Sequence, residues 1–85
     1  MISVRLLGHI RTSVGAESVD IPEDEIGAAA LVDRVRSLSR DRNPGFNRFN
    51  TLAMVEDGEA FVPAAADRTF RSGERVVLLP FSHGG

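Results

Sequence analysis

The residues best suited to chemistry lie at the end of the 85-residue chain, Leu79-Pro80-Phe81-Ser82-His83-Gly84-Gly85. A strand-like run, Arg75-Val76-Val77-Leu78-Leu79, meets Pro80, which has no N–H to give a sheet ladder. Pairing should stop there and the tail should leave the body. Six residues past Leu79 span roughly 20 Å at about 3.3–3.6 Å each. Gly84 and Gly85 carry no Cβ, so they can thread a slot too narrow for any other residue. The carboxyl of Gly85, with an ordinary pKa of about 3.3–3.7, is an anion at neutral pH and a poor electrophile, so chemistry there needs prior activation. The plain alternative is a frayed end. Against it, two glycines fall together at a terminus by chance on the order of half a percent of the time. All ten basic residues are arginine and none is lysine. An activated Gly85 therefore meets no side-chain amine of its own chain.

Other chemistry is poorly supplied. His9 and His83 are the two histidines, too few for a recognisable metal motif, and cysteine is absent. The serines have no evident base partner, the carboxylates are scattered, and no phosphate-cradling or dinucleotide-binding glycine pattern occurs. The chain is not expected to be an enzyme by itself, to bind a metal, or to hold a cofactor. A net charge of −2 offers no attraction for nucleic acid or an anionic membrane. No apolar run reaches the ~20 residues of a membrane span, and no signal peptide opens the sequence, so the cytoplasm is the expected compartment. The length predicts one small domain with a thin core, burying about 60–65% of its unfolded surface.

The elements that must position the tail follow from periodicity. Ile2-Ser3-Val4-Arg5-Leu6-Leu7 alternates, with Ile2, Val4 and Leu6 on one face and Leu7 on the polar side. His9 to Val14 predicts a turn of helix stopped by Gly15. Glu17 to Ile21 is a second alternating strand. Pro22-Glu23-Asp24-Glu25 reads as a helix entrance, and the helix is predicted to run to about Arg40, with Ala28, Leu31, Val35 and Leu38 as its buried stripe. Asp41 to Asn50 is a polar loop, which Phe46 and Phe49 should pin to the body. Thr51 to Val55 and Glu59 to Val62 are strands joined by an Asp57-Gly58 hairpin turn. Pro63 to Thr69 is a connector, and Arg71 to Glu74 turns into the last strand.

The order strand, strand, helix, strand, strand, strand predicts an α+β fold in which one main helix covers one face of a mixed sheet. The other face stays wet, and apolar side chains grouped there mark a contact surface. Domain bounds are 1–80 for the body and 81–85 for the tail.

This layout, with the final strand, Pro80 and Gly84-Gly85, resembles the small sulfur-carrier proteins of the ubiquitin-like β-grasp superfamily. Nearly the whole chain is covered. The resemblance is greatest to MoaD, the small subunit of molybdopterin synthase, with the thiamine sulfur carrier ThiS and the archaeal ubiquitin-like modifiers as relatives. Leu7 to Gly15 is similar to the MoaD-type helical segment between the first two strands, and Phe70 to Gly85 to its turn, last strand and tail. The sequence departs in Gly73-Glu74 for the usual Gly-Asp, Pro80-Phe81 for the usual double proline, and Asp57-Gly58 for an asparagine-glycine hairpin.

The resemblance implies a sheet of about five strands on one main helix with a flexible Gly-Gly tail. It implies that an E1-like adenylyltransferase of the MoeB or ThiF type uses ATP and Mg to convert Gly85 to an acyl adenylate. A sulfurtransferase or other sulfur donor then leaves a thiocarboxylate. Sulfur passes to a substrate, for MoaD a pterin precursor in molybdenum-cofactor synthesis, inside a MoaE-type large subunit. Phe81, Ser82, His83 and Gly84 would thread the partner, and Leu7, Phe61, Leu79 and Pro80 would form the docking patch. Taken singly, each patch residue reads as well as ordinary core or an isolated exposed apolar residue as it does as part of a docking patch. Two alternatives remain: a modifier joined through Gly85 to lysines of target proteins, and a β-grasp interaction module whose Gly-Gly is incidental.

Overall fold

The computed structural model of the chain describes residues 1–81. Its elements are β1 (Ile2–Leu6), α1 (Gly8–Val14), β2 (Ser18–Ile21), β3 (Glu25–Gly27), α2 (Ala28–Arg36), β4 (Thr51–Asp57), β5 (Ala60–Pro63), β6 (Thr69–Arg71) and β7 (Arg75–Pro80). Five strands form one sheet in the order β2-β1-β7-β4-β5, and β3 with β6 forms a two-stranded sheet. The β1–β7 pair is parallel and the other pairs are antiparallel. The sheet is therefore mixed, as expected, with β7 at its centre.

One face of that sheet is the core. Ile2, Val4 and Leu6 of β1 and Val76 and Leu78 of β7 are at most 1% exposed, and they cluster with Val55, with Ile10 and Val14 of α1 and with Ala28, Leu31, Val32 and Val35 of α2. The alternation in β1 and the 28/31/35 stripe of α2 are thus used as the sequence suggests. Gly15 ends α1 at φ +81, and its N–H bonds the Arg11 carbonyl at 2.8 Å, a left-handed cap that glycine adopts at little cost.

Several local expectations fail, each for a nonlocal reason. The main helix begins at Ala28, not at Pro22, because Glu25, Ile26 and Gly27 pair with Arg71, Phe70 and Thr69. That pairing covers Phe70, which is fully buried, and the Ala28 N–H is taken by the Arg68 carbonyl at 2.8 Å. The carboxylates of Glu23 to Glu25 accordingly lie outside the first helical turn. At its other end α2 stops at Arg36. Leu38 and Ser39 make tighter bonds to carbonyls three residues back, and Leu38, expected in the buried stripe, is 46% exposed.

The β4–β5 hairpin turns on Gly58-Glu59, one residue later than read, since Asp57 already faces Ala60. Gly58 has φ +68 and, among the described residues, no non-glycine residue has positive φ, the signature of a turn with glycine in its first central position. Of the two loop phenylalanines, Phe46 is buried as expected and Phe49 is 86% exposed.

Candidate docking face and tail exit

The second face of the five-stranded sheet is set by the same registers. Opposite Leu6↔Leu78 on the core side, Arg5 faces Val77, and Leu7 follows beside Leu79 with its N–H on the Leu78 carbonyl at 3.0 Å. Across β7, Val77 faces Met54 and Leu79 faces Leu52. Phe61 lies opposite Glu56 on the neighbouring strand. Strand alternation puts all of these side chains on the face away from the helices.

The outcome is a shallow depression of about 380 Å³ lined by Arg5, Leu7, Met54, Phe61, Val77 and Leu79. Leu7, Phe61 and Leu79 are therefore brought together. Met54 and Val77 were not singled out from the sequence, although Val76 to Leu79 is apolar at four consecutive positions. Such a run in a central strand means apolar side chains on both faces. Pro80 does not line this depression.

The face is two-sided in character. Toward the start of β7 it becomes polar, with Ser3, Arg5, Glu17, Glu56 and Arg75 around a second hollow of about 590 Å³. Arg75 reaches Glu56 at 3.6 Å and Arg11 reaches Glu17 at 3.1 Å, both as exposed pairs that add little to stability. The apolar end is the one from which the tail leaves.

Pairing was expected to end at Pro80. Instead β7 includes Pro80, opposite Thr51, and the Phe81 N–H bonds the Asn50 carbonyl at 2.8 Å. No ladder bond is lost, because backbone groups alternate sides along a strand. The Leu78 carbonyl points to β1, so position 80 also points there, where β1 has already ended. Pro80 fills that space against Gly8. A Cβ built on Gly8, which has φ +59, would come within 2.8 Å of Pro80 Cγ, so both conformation and contact demand glycine here. Phe81 is half-exposed. Ser82, His83, Gly84 and Gly85, the rest of the candidate tail, lie outside the described residues.

The loop beside the tail exit is tightly built. The Asn47 N–H donates to Asn50 Oδ1 and the Phe49 N–H to Asn47 Oδ1, each at 2.8 Å, while Asn50 Nδ2 donates to the Gly45 carbonyl at 3.1 Å. Arg36 Nε donates to the Phe46 carbonyl at 2.9 Å. Arg48 pairs with Asp33 and, chiefly through that hydrogen bond, holds the Asp33 carboxyl below its usual range. Among the described residues no cluster of three or more His, Cys, Asp or Glu side chains could hold a metal, and no helix is long and apolar enough to cross a membrane.

No protein-family model matches the chain, and neither does any curated protein sequence. Among solved structures, SAMP1 from Haloferax volcanii is similar over 99% of this chain and 98% of that one, with a TM-score of 0.62 and 16% sequence identity. At that identity the likeness speaks for the fold, which is a ubiquitin-like β-grasp.

Proposed function

We propose that the protein is a sulfur carrier of the MoaD and ThiS kind, acting through Gly85. Its carboxylate attacks the α-phosphorus of Mg-ATP on an E1-like enzyme and pyrophosphate leaves. Sulfide then attacks the acyl carbon and AMP leaves, giving a thiocarboxylate. Where the donor is a persulfide, the first product is an acyl disulfide, whose S–S bond a second thiol cleaves to release the thiocarboxylate and a disulfide. The molybdopterin pathway, with a MoaE-type large subunit, is the favoured destination of the sulfur. The observation that carries the reading is the junction of the apolar open face with the end of β7. Leu7, Leu79 and Phe61 gather at the edge from which the Gly-Gly tail departs, so one partner can grip the face and receive the tail. A second reading uses the same adenylate but passes Gly85 to lysines of other proteins. It is favoured by a chain with no lysine of its own, on which such conjugates cannot grow.

The test is the intact mass of the protein from its own cells, with peptide mapping of its high-mass forms. One oxygen replaced by sulfur at Gly85 establishes the carrier. Gly-Gly remnants on lysines of other proteins establish the modifier. Unmodified chain under all growth conditions sinks both and leaves an interaction module. Gly85→Ala is expected to abolish loading with an unchanged melting temperature.

A further inference from the structure

The five phenylalanines divide into two kinds. Phe46 and Phe70 are fully buried, whereas Phe49, Phe61 and Phe81 are 86%, 43% and 49% exposed. Phe61 belongs to the open face already described. Phe49 does not, and among the described residues it is not part of the core. Its backbone is nevertheless held by the Asn47 and Asn50 bonds, and it follows directly on Arg48, which pairs with Asp33. A rigid loop thus presents an aromatic ring to solvent, one residue from the carbonyl that fixes Phe81.

We propose that Phe49 is a binding anchor for the adenylating enzyme, separate from the open-face patch and placed at the rim of the channel that takes the tail. The inference rests on the reading of Gly85 as the adenylated residue. Its warrant is reach. Phe81 is tied to Asn50, and Gly85 is only four residues further on, so the reacting carboxyl can lie no more than about 14 Å from that tie. An enzyme that encloses the terminal glycines in a nucleotide-containing pocket must bring the pocket's rim against the base of the tail. Phe49 stands one residue from Asn50, whose carbonyl holds the Phe81 N–H. Aromatic side chains that a partner covers contribute heavily to binding, and a ring held by its own loop loses little entropy when covered. The occupant is an apolar, aromatic-accepting notch on the enzyme beside its tail channel. A membrane or a second copy of this chain has no reason to meet Phe49 and the tail together.

The experiment is steady-state adenylation, read as ATP–pyrophosphate exchange, with the E1-like enzyme of the source cells, ATP and Mg. The full chain is compared with Phe49→Ala and Gly85→Ala. Because the ring is exposed, Phe49→Ala should melt within about 2 °C of the parent. Its KM should rise about tenfold or more while kcat holds within about twofold, the mark of binding lost equally from ground and transition states. If the parent chain is not adenylated, the reading of Gly85 fails and takes this inference with it. If the parent is adenylated, Gly85→Ala is not, and Phe49→Ala keeps the parental KM, the inference alone is overturned. A photoreactive phenylalanine analogue at position 49 gives an independent measurement. It should crosslink to the enzyme, whereas the same group at the exposed Asp24, whose carbonyl is bonded by Ser72 before the start of β7, should not. Equal crosslinking from both positions also overturns the proposal.

Discussion

The two faces of the five-stranded sheet are made by alternate residues of the same strands, yet they differ in what covers them. On one face Val4, Leu6, Val76 and Leu78 disappear beneath the helices. On the other Leu7, Met54, Val77 and Leu79 are equally apolar and line an open depression that no helix among the described residues covers. The first set builds the core. The second leaves grouped apolar surface on an open face, the usual mark of a contact surface. The contrast is greatest in β7, where neighbouring leucines serve the two purposes.

Substitutions in β7 put that contrast under direct strain. Leu78→Ala should cost about 2–5 kcal/mol, enough to threaten folding of so small a domain, as read by denaturant titration. Next comes Gly8→Ala, which forces a Cβ into Pro80 at positive φ and should cost about 1–3 kcal/mol. Calorimetry would register it as a drop of several degrees, and an unchanged melting temperature would show that Pro80 moves aside freely. Leu79→Ala should cost under about 1 kcal/mol of stability while weakening binding to the activating enzyme, measured by calorimetric titration. Were Leu79→Ala as destabilising as Leu78→Ala, the two faces would not be distinct.

The smallest effect concerns Asp33. Its carboxyl is held below its ordinary value by Arg48, so the pair favours the folded state above the unfolded pKa near 3.8 and ceases to do so as pH falls through the lower folded value. Acid titrations of the parent and Asp33→Asn should differ slightly at neutral pH and converge at strongly acid pH. Both side chains are about half exposed, so salt should shrink the difference.

Local patterns were legible and nonlocal ones were not. The alternation of Ile2, Val4 and Leu6 and the Gly15 cap follow from a few adjacent residues, whereas the neighbouring placement of Leu7 and Leu79 follows only from the resemblance to the β-grasp fold. The β3–β6 pair does not, because the carboxylates before Ala28 read as a helix entrance until Phe70, more than forty residues later, needs a cover. Tertiary pairing overrode propensity there. Leu38 misled because its spacing continued the helical stripe after the helix had ended. Phe49 misled because aromatic residues in loops are usually buried, and no sequence signal separates it from Phe46. Met54 and Val77 were readable in principle from the apolar run of β7 and its partner strand.

The register at the tail exit also has a mechanical meaning. Tension on the chain beyond Phe81 runs straight along β7, which lies parallel to β1 on one side and antiparallel to β4 on the other. Inter-strand bonds that cross the line of pull share the load, whereas a peeled edge strand breaks them one at a time. The carboxyl end is thus hung from the centre of the sheet and not from its margin. A pull on that end loads the ladders to β1 and to β4 together.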